Sequence, residues 1–152
     1  MQGTVRPAGV DDAPDVARLL HDFNSEFEDE TPGVEFLTRR VRELIEAGEI
    51  TVLLVGDGPD GLAQLRFRPQ VFRDSLEAYL QELYVVPQRR GHGLGRALLE
   101  AAMDVAREAG ATFMDLGTSE DDVAARGLYE SAGFTNREGP GGPIMYAYER
   151  DL

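Results

Sequence analysis

Two arginines and three glycines stand together at Arg89-Arg90-Gly91-His92-Gly93-Leu94-Gly95, with Arg96 just beyond. The chain enters this turn from an apolar, β-prone segment (Leu83, Tyr84, Val85, Val86) closed by Pro87, and it leaves in a strongly helix-forming run. Glycine lets the backbone turn sharply and approach a ligand closely. The first N–H groups of the following helix face outward at the positive end of its dipole. That combination suits a phosphate; the competing reading is a surface turn in which glycine only punctuates structure.

Spacing narrows the choice of phosphate ligand. A P-loop needs G-x-x-x-x-G-K-[ST], and the chain contains no lysine at all. A dinucleotide fingerprint, G-x-G-x-x-G, fails from Gly91, where Arg96 takes the third glycine's place, and from Gly93, where Leu98 does. What remains is R-x-x-G-x-G, carried by Arg90, Gly93 and Gly95.

The elements that must position this turn can be read in chain order. Thr4 to Pro7 is a short strand. Asp11 or Asp12 caps a helix with Pro14 in its first turn and Val16, Leu19, Leu20, Phe23 and Phe27 at helical spacing. An acidic turn, Glu26 to Gly33, follows; it could receive a cationic amine or be a solvated loop. A second helix begins near Glu35, with Leu37, Val41, Leu44 and Ile45 on one face and Gly48 as its stop. Ile50 to Val55 and Leu62 to Phe67 form a hairpin around Gly56 to Gly61, and Leu76 to Val86 is a strand long enough to invite a bulge. Beyond the glycine turn, Leu94, Leu98, Ala101 and Val105 mark the buried stripe of a helix ending near Gly110. Thr112 to Leu116 is a strand, and Ser119 with Asp122 has capping-box spacing before a helix from Val123 to Ser131. Phe134 to Arg137 and Ile144 to Glu149 are the final expected strands. The order β-α-α-β-β-β-α-β-α-β-β fits an α/β domain with a mixed sheet and helices on its faces.

Composition bounds the function. A chain of 152 residues is expected to be a single domain, 1–152, with a full core. It has no cysteine, which excludes disulfides, zinc-thiolate sites and a cysteine nucleophile. No metal is expected. A net charge of -13 argues against nucleic acid as a partner; it permits a cationic substrate or simply aids solubility. No segment has signal-peptide character or approaches the ~20 apolar residues of a membrane span, so the expected setting is cytoplasmic, without a membrane partner.

A second motif lies at 119–134, SEDDVAARGLYESAGF. Together, the two motifs and the order of elements resemble the GNAT superfamily of N-acetyltransferases. Its acetyl-CoA pyrophosphate loop carries Q/R-x-x-G-x-G/A, and its second signature is commonly N-x-x-A-x-x-L-Y-x-x-x-G-F. Here that signature is Asp122, Ala125, Leu128, Tyr129, Gly133 and Phe134, with Asp122 where Asn is common. The resemblance implies a three-layer domain with a mixed, mostly antiparallel sheet of six to seven strands and about four helices. It also implies acetyl-CoA as cosubstrate and an amine acceptor, and it allows a homodimer, since dimers are common among such proteins.

Acetyl transfer to an amine needs a proton acceptor, because a free alkylammonium has a pKa of about 10.4. It also needs an oxyanion donor and a group that meets the departing thiolate. The resemblance puts Tyr129 near the thioester sulfur as acid, with core packing as its alternative. It makes the backbone N–H near Val85 the oxyanion donor, exposed where the strand bulges and parts from its neighbour. Glu82 is the candidate base, or else an ordinary surface carboxylate; by alternation it shares a face with Tyr84. Main-chain groups of Leu83 and Val85 would pair with pantetheine, and the N–H groups of Gly91, His92, Gly93, Leu94, Gly95 and Arg96 would hold pyrophosphate, with charge from Arg90 and Arg96. The His92 side chain could touch phosphate or sit in solvent. Asp122 could contact the cosubstrate, but an ionised carboxylate only accepts hydrogen bonds, and capping its helix is the other role. The acceptor is read as a primary amine, a small molecule ahead of a protein; the alternative function is a non-catalytic acyl-CoA-binding or regulatory module of the same fold. A different nucleotide-binding α/β protein is the third reading.

Overall fold

Gly9 to Asp12 make a single tight turn that passes a three-residue strand, β1 (Val5–Pro7), into helix α1 (Ala13–Glu26). The computed structural model describes residues 3–152 and divides into two units that meet in sequence at Leu116 and Gly117. The first unit contains α1, α2 (Val34–Glu46), β2 (Thr51–Val55), β3 (Gly61–Pro69), β4 (Leu76–Val85), α3 (Leu94–Glu108) and β5 (Ala111–Leu116).

Its five strands lie in the order β1-β2-β3-β4-β5, the first four antiparallel and β5 parallel to β4. The sheet separates two apolar layers. Val52, Leu54, Leu62 and Tyr84 pack on Ala13, Val16 and Leu19 of α1 and Val41 of α2. On the other face, Gly61 leaves room for Leu98 of α3, whose side chain an added Cβ would meet at 3.2 Å. Leu94 and Leu98 of the expected stripe are buried, but the buried face continues through Leu99, Ala102 and Ala106, while Ala101 and Val105 are only partly covered.

The long strand does bulge, at Gln81. Leu80 stands opposite Leu65 and Glu82 opposite Gln64, so Gln81 is the extra residue. One inserted residue reverses the side-chain parity of the strand. Ala78 and Leu80 face the α3 layer, whereas Glu82 and Tyr84 face the α1–α2 layer. From Glu82 onward the alternation expected from sequence holds, with Leu83 and Val85 on the opposite face.

The second unit, Gly117–Leu152, contains α4 (Val123–Ser131). Its N-terminus corrects the expected capping box. Asp122, not Ser119, occupies the cap position, and its carboxylate accepts from the Ala125 N–H at 3.1 Å. The strands expected at 134–137 and 144–149 are also corrected, because the described sheet has five strands rather than six to seven. Those segments meet in one isolated antiparallel bridge, Arg137 with Ile144, around the turn 138–143. Pro143 has no N–H to offer a ladder beside it, and two glycines of the turn, Gly139 and Gly141, take positive φ. Four helices are present among the described residues, in line with the sequence.

Candidate functional site

In the first unit the site grows from the end of β4. The Val86 N–H donates to the Asp60 carbonyl at 2.8 Å, so Val86 faces β3. Backbone groups alternate sides along a strand, and those of Leu83 and Val85 therefore point to the opposite edge. Pairing of β4 with β5 runs only to Leu80, opposite Leu116. Beyond it, Leu83 and Val85 present an edge with no ladder partner. The bulge at Gln81 lies four residues before Val85 and directly after Leu80, the last residue of β4 paired with β5, so the strand parts from β5 where it bulges.

The chain then makes one 3-10 turn, Pro87–Arg89, and reaches α3 through Gly91 and Gly93, both at left-handed φ (81° and 80°). Gly93 is the N-cap of α3 and has no side chain to cap with. The first intrahelical bond is accepted by its carbonyl from the Ala97 N–H at 3.0 Å. Leu94, Gly95 and Arg96 are thus the first three helical residues, whose N–H groups have no intrahelical acceptor. Such a cradle fits a pyrophosphate. His92 is exposed beside it.

Arg90, read from sequence as a phosphate cation, is engaged elsewhere. Its Nε donates to the Val85 carbonyl at 3.0 Å, and its two terminal nitrogens each donate to the Glu26 carboxylate at 2.8 Å. Tyr84 donates its hydroxyl to the same carboxylate at 3.2 Å and stacks on Phe23 of α1, with ring centroids 4.8 Å apart. The Arg90 guanidinium, more than any other neighbour, holds the Glu26 carboxyl below the usual carboxylate range. Glu26 was visible in sequence only as part of the acidic turn, because its partners lie 58 and 64 residues away.

Glu82 stands across from Gln64 on the face shared with Tyr84, half-buried. Burial raises its carboxyl above the ordinary value, and the negative charge of Asp29, in the α1–α2 turn, raises it further. It makes no ion pair among the described residues. A carboxylate whose proton affinity has been lifted toward neutrality is a better general base than a surface one. Gln81, the bulged residue, accepts hydrogen bonds at Oε1 from Gln64 Nε2, at 3.2 Å, and from Arg66 Nε. Sequence reasoning expected a bulge somewhere in this long strand but could not place it at Gln81, and so missed this cluster.

In the second unit, Tyr129 is half-buried on α4, its ring edge-on to Phe134 at 6.1 Å. Burial pushes its phenol up to about 12, with the Asp122 charge adding to the rise. Asp122 is committed to its capping bond, which agrees with the second of its two predicted roles.

The profile of the acetyltransferase (GNAT) family matches residues 14–134 and so runs through both units. The crystal structure of a protein from Arthrobacter sp. FB24, classed as an acetyltransferase, superposes with a TM-score of 0.91 at 44% identity, covering 98% of this chain and 96% of that one. The uncharacterized N-acetyltransferase YhfO of Bacillus subtilis is 28% identical over 89% of this chain and 91% of its own length. An aminoglycoside N(6')-acetyltransferase type 1 of Stenotrophomonas maltophilia is 32% identical over 60% of this chain and 62% of its own. The chain belongs to the GNAT family of acetyltransferases.

Proposed function

We propose that the protein moves an acetyl group from acetyl-CoA directly to a primary amine of a small molecule. The observation that carries this reading is the unpaired edge of Leu83 and Val85 running into an uncapped helix N-terminus. Leu83 and Val85 are suited to pair with the pantetheine amides, and residues 91–96 to bind the pyrophosphate. The family generally uses acetyl-CoA, and the aminoglycoside relative supports a small-molecule acceptor.

In this reading the bound thioester supplies an activated carbonyl, and the chain supplies the groups around it. Glu82 takes a proton from the attacking amine, directly or through one water. The Val85 N–H stabilises the oxyanion, and Arg90 holds the carbonyl of the same residue. A C–N bond forms, the C–S bond breaks, and the proton lost by nitrogen balances the one gained by the thiol. Tyr129 meets the departing sulfur. Its phenol, pushed up to about 12 by burial, keeps its proton at neutral pH and so has a hydrogen to offer the sulfur, as the acid read from the sequence.

The test is acetyl-CoA-dependent thiol release over a panel of amines, wild type against Y129F. Acceptor-dependent release that falls in kcat by about 10- to 100-fold in the variant is expected. Unchanged kcat removes Tyr129 from the chemistry. Binding of CoA with no acceptor-dependent release would make the protein a non-catalytic module.

A further inference from the structure

The face that carries Glu82 also carries a cation. Along β3, Leu62, Gln64 and Arg66 share one side, and Gln64 is the cross-strand partner of Glu82. Arg66 therefore stands on the same face, diagonal to Glu82, with the two backbones roughly 7–8 Å apart. The opposite charges do not cancel each other, since no described carboxylate, Glu82 included, forms an ion pair with Arg66. Its Nε is fixed on the bulged Gln81, whose oxygen is oriented in turn by the buried Gln64. No described hydrogen bond or ion pair is made by the terminal nitrogens of the fork.

That arrangement is unusual in a chain with 28 carboxylates and 15 arginines. Arg68, two residues along the same strand, is bracketed by Glu77 at 3.0 Å and Asp115 at 3.0 Å. Arg42, Arg73, Arg137 and Arg150 also make no described ion pair, but all four are exposed, where water satisfies a guanidinium. Arg66 is half-buried, held by one hydrogen bond at Nε, and stands on the face that carries Glu82. A guanidinium fork matches a carboxylate bidentately.

Resting on the acetyltransferase reading above, we propose that the acceptor carries a carboxylate beside its amine, as an amino acid does, and that Arg66 receives that carboxylate while Glu82 faces the amine. The zwitterion sets its negative end on the one guanidinium of this face that lacks a carboxylate and its positive end toward Glu82 and Asp29. A polyamine would leave Arg66 unmatched and bring further cations against it.

The experiment measures thiol release with the twenty L-amino acids and, for each responder, its carboxamide and its decarboxylated amine. Wild type should prefer the amino acid by about 100-fold in kcat/KM, because a site built for a polar group rejects the analogue lacking it. R66Q should raise KM for the amino acid by about 30-fold or more while moving the carboxamide's constants less than about threefold, and R66K should restore part of the preference. Acetyl-CoA binding by R66Q, measured calorimetrically, certifies its fold, so an equal loss on both acceptors overturns the proposal. Carboxamides or aminoglycosides used as well as amino acids by wild type also overturn it, while leaving the acetyltransferase reading intact. No thiol release with any amine overturns both.

Discussion

The two sides of the first unit's site are built on opposite principles. The proposed cosubstrate side, Leu83 to Arg96, is one continuous stretch that would work through backbone amides. The proposed acceptor side assembles Glu82 from β4, Gln64 and Arg66 from β3 and Asp29 from the α1–α2 turn, and would work through side chains. A backbone cradle tolerates most side-chain changes and depends on conformation. The side-chain face does the reverse, so mutations should separate the two cleanly: binding of acetyl-CoA on one side, chemistry and acceptor choice on the other.

The largest effect is expected from E82Q. With the base removed, kcat/KM at neutral pH should fall by about 100-fold, partly recovering as rising pH supplies free amine. In wild type the carboxyl is raised by burial and Asp29, so the acid limb of the profile should lie above the ordinary carboxylate range. Loss of that limb in E82Q, with acetyl-CoA affinity unchanged, supports the division. An unaltered profile removes Glu82 from the mechanism.

Next in size is the contact that ties the two sides together. Glu26, at the last residue of α1, holds Arg90, and Arg90 pins the Val85 carbonyl. E26A should raise KM for acetyl-CoA about 10-fold, since preorganisation of the strand end is lost while the reacting groups remain. Its kcat should fall by a smaller factor, about threefold, because the Val85 N–H belongs to the same strand end. The Glu26 carboxyl is held low by Arg90, so its contribution is complete above the usual carboxylate range and disappears only as pH falls through its lowered value. A fall in kcat with no change in KM would break the assignment.

The same division explains what was legible in the sequence. The glycine turn could be placed because Gly91, Gly93 and the helix start are adjacent, and positive φ is a property of one residue type. Helix α3 was legible from its periodicity and α4 from the cap spacing before Val123 and the glycine stop at Gly133, both local signals. Glu26, Arg66 and Gln81 were not. Each depends on a partner across the sheet or on a one-residue bulge whose parity change no alternation pattern records. The final two strands were over-read: IMYAYE has strand-like composition, but a ladder also needs a partner, and Arg137 with Ile144 is a single bridge. Residue propensity states what a segment tolerates; pairing states what it does.

A smaller effect tests the conformational side alone. At Gly93, φ is 80° and an added Cβ would meet nothing within 4 Å. G93A therefore carries only the backbone cost of left-handed φ, about 1 kcal/mol. If the strained residue relaxes and the cradle opens, KM for acetyl-CoA should rise about fivefold with kcat and acceptor preference unchanged. A change in acceptor preference would show that the two sides are not separable.

The smallest effect is one of stability, and its sign opposes the loss of activity. A carboxyl whose folded pKa is raised stabilises the fold while it is protonated, below the unfolded value near 4.3, and that contribution is lost as pH rises through the folded value. Once ionised, Glu82 is therefore a charge the fold would rather not carry, half-buried and repelled by Asp29. Glutamine keeps the shape and removes the charge. E82Q should melt about 1–3 °C above wild type at pH 7, and the gap should narrow as pH falls and the wild-type carboxyl takes up its proton. Backbone sites such as Gly93 offer no comparable gain, because their cost is conformational and already met by glycine. A melting temperature for E82Q below wild type at pH 7 would mean that Glu82 is held by a favourable partner, and the acceptor face would lose its claim to a base kept ready at the expense of stability.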